Sequence, residues 1–427
     1  MRAGAYRSVV MVENPLKRAV RWGLWGAGAL VALVLGLHFL LPSLLNIEAV
    51  KTKVLALAGQ TIPGRIDIDR LRPGLFPLPH LLLVDVHYAL PESLQLDAAA
   101  VIVYPQVIPL LTGRLRPGAV IVQSPTLSLT LPRRQDQPPD AMAMLAPSAD
   151  PRMLKAVLAR IPQECRVDID NARVTLRHGP TASVRLDSMS AALIEEDDAV
   201  VLRIEGRGDL AGEFDIEAEL DRQTLDGSGR IRLKRLDTDA LAAVVQSGPA
   251  ATRLQAEPDL DVKFETEGFE TWRTKFSFSS PNARLKRDEG RIEFKSIAIE
   301  GSLLMTPEQL EVVFTRVKTA TPKAELNGEL TWQRDPAADT AGWQLSMKAR
   351  DTDVTRLRRD MLAFLPDLQL WTLLNVIRGG TLDHMMLTSS GGSWEELWRT
   401  GRMTISGEAG DRSEEHTLNS SHVSQSR

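Results

Sequence analysis

The chain of 427 residues has a single cysteine, Cys165, which rules out an intramolecular disulfide and a cysteine-rich metal site. No histidine lies near it in sequence to serve as a base, so Cys165 reads as a small buried side chain rather than a nucleophile. Aromatics make up only 5% of the residues, which argues against an aromatic-lined pocket. Charge bias is missing as well. Fifty-one basic residues against 55 acidic ones leave a net charge of -4, so nothing favours a polyanion and nucleic acid is not an expected partner. The motifs HExxH, GxxxxGK[ST] and GxSxG are absent, and so are a histidine cluster and a twelve-residue calcium loop. Gly206-Arg207-Gly208 and Gly227-Ser228-Gly229 read as turns between strands, because no strand–loop–helix unit surrounds them. The pairs Asp67/Asp69, Asp168/Asp170 and Asp237/Asp239 read as structural residues of strands, turns and caps. No catalytic residue, cofactor or metal site is therefore expected.

What the chain does have begins with one long apolar run, residues 22–41 (WGLWGAGALVALVLGLHFLL), free of charged side chains. As a helix it spans roughly 30 Å, the thickness of a bilayer's hydrocarbon core. The four glycines within it are tolerable in lipid, where the backbone must satisfy its own hydrogen bonds. A secretory h-region is shorter, roughly 7–15 residues, and ends in a small-x-small cleavage site that Pro42-Ser43-Leu44 does not supply. An uncleaved anchor is expected, carried by Trp22, Trp25, Leu30, Leu33, Leu35 and Leu41, with the two tryptophans at interfacial depth. Lys17, Arg18 and Arg21 in the basic tail, residues 1–21, set the topology: N-terminus cytoplasmic, the bulk of the chain translocated.

Past the anchor, residues 46–58 have a helical stripe capped by Asn46 and stopped by Gly59. Alternation then predicts a strand over 65–69, and 81–84, apolar on both faces, reads as a strand covered on both sides. Further strands are expected over 99–104, 119–122 and 127–131, with a short helical or turn element over 107–115. Proline- and glutamine-rich residues 132–151 read as a linker or surface loop, and 153–161 as a short amphipathic helix.

The region 46–131 resembles the N-terminal module of AsmA-like proteins of Gram-negative bacteria. Its matching residues are Gly64, Phe76-Pro77-Leu78-Pro79, Asp85-Val86, Pro109-Leu110-Leu111-Thr112-Gly113 and Ser124-Pro125, in order over about 90 residues. The resemblance implies an inner-membrane protein with a long periplasmic β-sheet bent into an apolar groove. It also implies a part in phospholipid carriage between the two membranes or in outer-membrane biogenesis. The implied partners are the inner membrane, phospholipid and outer-membrane assembly proteins.

Beyond Pro162, period-2 runs separated by turn residues predict an antiparallel meander over 152–350. Expected strands are 166–170, 172–178, 184–194, 200–207, 213–221 and 229–236. A second set is 260–267, 274–279, 283–286, 291–300, 311–318, 323–333 and 343–350. On 213–221, Phe214, Ile216, Ala218 and Leu220 share one face and four acidic residues the other. On 229–236, Ile231 and Leu233 oppose Arg230, Arg232 and Lys234. Cross-strand charge pairing suits these two runs if they are adjacent. The apolar faces need a cover, either a second sheet or a lipid acyl chain. Periodicity by itself favours the sheet, and the resemblance favours the lipid, with Phe214, Ile216, Ile231 and Leu233 as lining positions. The alternative function is an anchored β-rich scaffold or assembly factor with a closed core.

Asp237-Thr238-Asp239 and Asp351-Thr352-Asp353 each follow a strand and are expected to start a helix, which suggests a long-period repeat. Residues 351–411 then read as a helix plus the start of a further β-module, with a strand over 381–388. Trp394 and Trp398, four apart, would share a helix face against the sheet. Residues 412–427 (RSEEHTLNSSHVSQSR in part resembles a translated sequencing adapter) are polar and without periodicity. The natural chain is accordingly expected to continue past Asp411, and His416 and His422 are not counted as ligands.

Overall fold

The computed structural model describes residues 64–131, 151–245, 252–353 and 381–409, less a few short segments within them, and a few single positions elsewhere. The expected anchor at 22–41, the basic tail, Phe76-Pro77, the loop 132–150, Trp394 and the tail 412–427 lie outside the described residues. Among the described residues no helix is long and apolar enough to cross a membrane.

The architecture is one mixed sheet of 19 strands. Its first part is β1 (Arg65–Gly74), β2 (His80–Leu90), β3 (Leu94–Pro105), β4 (Pro117–Gln123) and β5 (Thr126–Leu131). After helix α1 (Pro151–Leu158) come β6 (Arg166–His178), β7 (Ala182–Glu196), β8 (Ala199–Gly208), β9 (Ala211–Asp221) and β10 (Gly227–Leu236). Helix α2 (Thr238–Val245) precedes β11 (Thr252–Ala256), β12 (Asp259–Glu267), β13 (Thr271–Arg287), β14 (Gly290–Met305) and β15 (Gln309–Ala320). The sheet closes with β16 (Lys323–Asp335), β17 (Thr340–Asp353), β18 (Thr381–Gly391) and β19 (Met403–Ala409). Strands pair with their neighbours in sequence, with two exceptions. β4 and β5 share one place between β3 and β6. β12 links β10 to β13, while β11 extends along β13 alone.

The expected all-antiparallel order needs one correction: β6 runs parallel to both β4 and β5. β5 ends opposite His178 and β6 begins opposite Ala119, so the chain crosses back along the strands before β6, as a parallel pair requires. Two strands also stand where neither alternation nor turn signals placed them, β11 and β19.

Two expected breaks lie inside continuous strands. Residues 166–170 and 172–178 form the single strand β6, and 274–279 joins 283–286 in β13. The cause is visible across the sheet. Asp85, Ser124, Asn171, Ser188, Arg235 and Ser296 all have φ between 47° and 53°. Pairing shifts register at Asn171 and Ser188, whereas at Asp85, Arg235 and Ser296 one pair is skipped and the same register resumes, all at nearly the same level from β2 to β14. Bulges with one left-handed residue bend a strand and raise its twist, and small polar residues tolerate that conformation best. The strands are therefore creased along a shared line.

The Asp-Thr-Asp repeat is half right. Asp237 Oδ1 accepts the backbone N–H groups of Asp239 and Ala240 at 2.9 and 3.0 Å, capping α2 as expected. Asp351-Thr352-Asp353 instead completes β17, with Thr352 opposite Leu382 and 1% exposed. The cap there comes from Asp353, which accepts Arg356 N–H at 3.1 Å.

The buried side chains fall into separate clusters rather than one core. Ile68, Leu83, Val86 and Ala98 form one on β1–β3. Met305, Leu310, Trp343, Leu345 and Leu397 form another on β14–β17, closed by the 3-10 turn Glu396–Trp398. Leu158, Val200 and Leu225 form the third, where α1 sits over one end of the strands. At the opposite end α2 packs on β11 and also touches β6 and β7. All the described strands belong to this one sheet, and their close contacts are with sheet neighbours.

Candidate functional site

Register places the four expected lining residues side by side. Leu233 lies opposite Phe214 and Ile231 opposite Ile216, in adjacent strands β10 and β9. They belong to longer rows. Ile204, Ile216, Ile231, Val262 and Phe276 are successive cross-strand neighbours from β8 to β13. Phe214 is buried, while the other three expected residues are only half-buried. Glycines in these rows seat aromatic rings. A Cβ at Gly206 would come 2.6 Å from the Phe214 ring, one at Gly229 2.4 Å from Phe264, and one at Gly301 2.6 Å from Phe276. Rings that fill glycine gaps keep the apolar face continuous. That Phe-against-Gly pattern across strands was a signal available only once register was known.

The opposite face carries charge, and the expected pairing between β9 and β10 is present. Lys234 Nζ donates to Glu213 at 2.8 Å and Arg232 to Asp215 at 3.1 Å. The Lys234 hydrogen bond holds the Glu213 carboxyl below its usual range, and Glu213 in turn raises Lys234. Arg230 lies opposite Glu217 but turns to the other side, where Asp261 takes its guanidinium through two oxygens. Exposed pairs of this kind contribute little to stability.

The largest described cavity, about 780 Å³, opens on this charged side and not on the apolar one. Its lining runs from Arg203 in β8 to Glu311 and Val313 in β15, through Arg230, Lys263 and Lys275. The sequence reading assigned these charges to a solvated face. Nothing in the local pattern places a hollow among these charges.

The end over α1 is held by ionic contacts. Arg222 donates 2.8 Å hydrogen bonds to the carbonyl oxygens of Leu158 and Ile161 and a 2.6 Å bond to Glu195. Glu195 also accepts the backbone N–H of Glu164. Cys165 beside it is 3% exposed, and burial, with the Glu195 charge, pushes its thiol up. The expected buried role of Cys165 is the observed one, and a raised thiol is a poor nucleophile.

A second titratable group stands out on β2. His87 lies opposite Asp67 on one side and Asp97 on the other, with Nδ1 2.6 Å from Asp97. The Asp97 hydrogen bond raises its pKa above the ordinary 6.5, and the charges of Asp97, Asp67 and Asp85 add to this. The imidazolium pairing is thus fully present below pH 6.5 and is lost as pH rises through the raised folded value. An NMR titration should place His87 above 6.5, and Asp97→Asn should bring it back down. A His87 that titrates at or below 6.5 in the intact protein contradicts the pairing. The described residues contain no group of three His, Cys, Asp or Glu side chains that could hold a metal ion.

These features define a class, a β-rich protein built on one large sheet with an apolar face and a charged face. No protein-family model, curated protein or solved structure matches the chain.

Proposed function

We propose that this is an inner-membrane-anchored periplasmic protein whose apolar sheet face forms a groove for phospholipid acyl chains. In that role it serves lipid transport between the two membranes or outer-membrane biogenesis. The observation that carries the reading is the row Ile204–Ile216–Ile231–Val262–Phe276, apolar and only partly buried on one face of a single sheet. A continuous uncovered apolar surface of this extent marks an interaction site. An acyl chain suits it well, since each buried methylene contributes about 0.8 kcal/mol and needs no directional partner. The helices support a groove. α2 reaches β6, β7 and β11 together, as an element seated in a curved sheet does, and the cluster that holds Leu158 of α1 takes in both Leu193 of β7 and Phe269 beyond β12. Residues 22–41 would hold one end at the membrane, and charged side chains would face water.

The closed-core scaffold has less support, because its second layer would bury Ile216 and Ile231 as fully as Leu310. Photo-crosslinkers at Ile216 and Leu233, in cells fed labelled phospholipid, separate the two. Labelled lipid captured at both positions is the expected result. Purely intramolecular products at both would reject the groove.

A further inference from the structure

The charged-face cavity has an order that a merely solvated surface does not need. Its walls are two rows of side chains running across the strands, with Ala218, Gly229, Phe264, Thr274 and Leu303 between them. One row, in cross-strand register, is Arg203, Glu217, Arg230, Lys263 and Lys275, which continues into the uncharged Ser302 and Val313. The other starts at Val201 and runs through Glu219, Ser228, Glu265, Arg273, Leu304 and Glu311. The exceptions are neutralised locally. Glu217 stands opposite Arg203, Arg230 being taken by Asp261, and Arg273 is held by Glu267. What remains is a basic wall facing an acidic wall, two residues apart along each strand and so about 7 Å apart. Seven strands wide, the trough is about 29 Å long.

Arg230, Lys263 and Lys275 also lie directly opposite one another, an arrangement that is unfavourable in a sheet without a counter-charge. Asp261 satisfies Arg230, but among the described residues neither lysine forms a salt bridge. A polyanion would meet Glu219, Glu265 and Glu311, and a polycation the lysines. The complementary ligand carries both signs on opposite edges. An extended peptide laid flat in the trough projects alternate side chains to the two sides. We propose that the trough docks an extended peptide segment of alternating basic and acidic residues. Its basic side chains face Glu219, Glu265 and Glu311, and its acidic ones face Arg203, Lys263 and Lys275. This surface lies on the far side of the sheet from the apolar face and does not depend on the lipid reading.

The test uses the full chain in mild detergent at low salt, with two labelled decapeptides of equal composition. In one, lysine and glutamate alternate along the whole length; in the other, all the lysines precede all the glutamates. Anisotropy should show the alternating peptide binding at least ten-fold more tightly than the block, with affinity falling as salt is added. K263E/K275E should weaken it at least ten-fold, and circular dichroism reports whether the variant keeps its sheet. A photo-crosslinker at Ser228, which changes no charge, should capture the alternating peptide in the otherwise unaltered protein. Equal affinity for the two peptides, no binding, or no capture at Ser228 overturns the proposal. So does unchanged affinity in a folded K263E/K275E.

Discussion

Replacing Arg222 with alanine should destabilise the α1 end of the sheet by about 3–5 kcal/mol, the usual penalty for breaking a buried ion pair. The size follows from what the guanidinium holds. Its side chain is 12% exposed and that of Glu195 4%, so neither charge has water to fall back on. One nitrogen binds Glu195 and another binds the Leu158 and Ile161 carbonyl oxygens at the end of α1. The Leu158 carbonyl also accepts the Ile161 N–H at 3.1 Å, and a residue from the β9–β10 turn adds a second donor to it and one to Ile161. Arg222→Ala therefore removes the cation from a buried carboxylate and a donor from each carbonyl. Denaturant unfolding and hydrogen exchange across α1 and β7 measure the loss. The double substitution Arg222→Met with Glu195→Leu should recover much of it, since apolar replacement of a whole buried pair is often neutral. A change below about 1 kcal/mol in Arg222→Ala would show that the latch holds nothing.

Leu310→Ala should cost about 2–5 kcal/mol, while Ile231→Ala should cost only about 1 kcal/mol. Both remove a branched aliphatic side chain from the apolar face of one sheet. Leu310 is 1% exposed and packs in the cluster that Leu397 closes from the 3-10 turn. Its truncation leaves a cavity enclosed by Met305, Trp343 and Leu345. Ile231 is half-buried in the middle of the face, flanked by Ile216 and Val262, with no element over it among the described residues. Truncation there leaves no enclosed void, only a shallower surface. The contrast is the measurement that matters, read from paired unfolding curves of the two variants. Equal losses of several kcal/mol would mean that Ile231 is covered, and the open apolar face would have to be abandoned.

Much of the β-rich architecture was legible in the residue pattern. Period-2 alternation on Glu213–Asp221 and Gly229–Leu236 identified both the faces and the charge pairing, because alternation is a property of neighbouring residues. The capping role of Asp237 was legible for the same reason. Asn171 was not. A left-handed asparagine looks the same at a tight turn and at a bulge, and only the continued pairing of β6 with β7 distinguishes them. Asp351-Thr352-Asp353 was legible in part: the triplet ends β17 beside β18, and its last residue, Asp353, caps the helical residues that follow.

The expected lining residues Phe214, Ile216, Ile231 and Leu233 were placed on one face correctly, but the charged trough and the Arg222 contacts were invisible. Lys263 meets Lys275, and Arg222 meets Leu158, only through pairing of segments distant in the chain. Local alternation and turn chemistry thus settle that this chain forms strands and which side chains share a face. The parallel return of β6, the shared crease, the covering of each end by a helix and the hollow among the charges belong to the folded molecule. They depend on register between strands and on how bulges in separate strands align, and neither is a property of any single stretch of sequence.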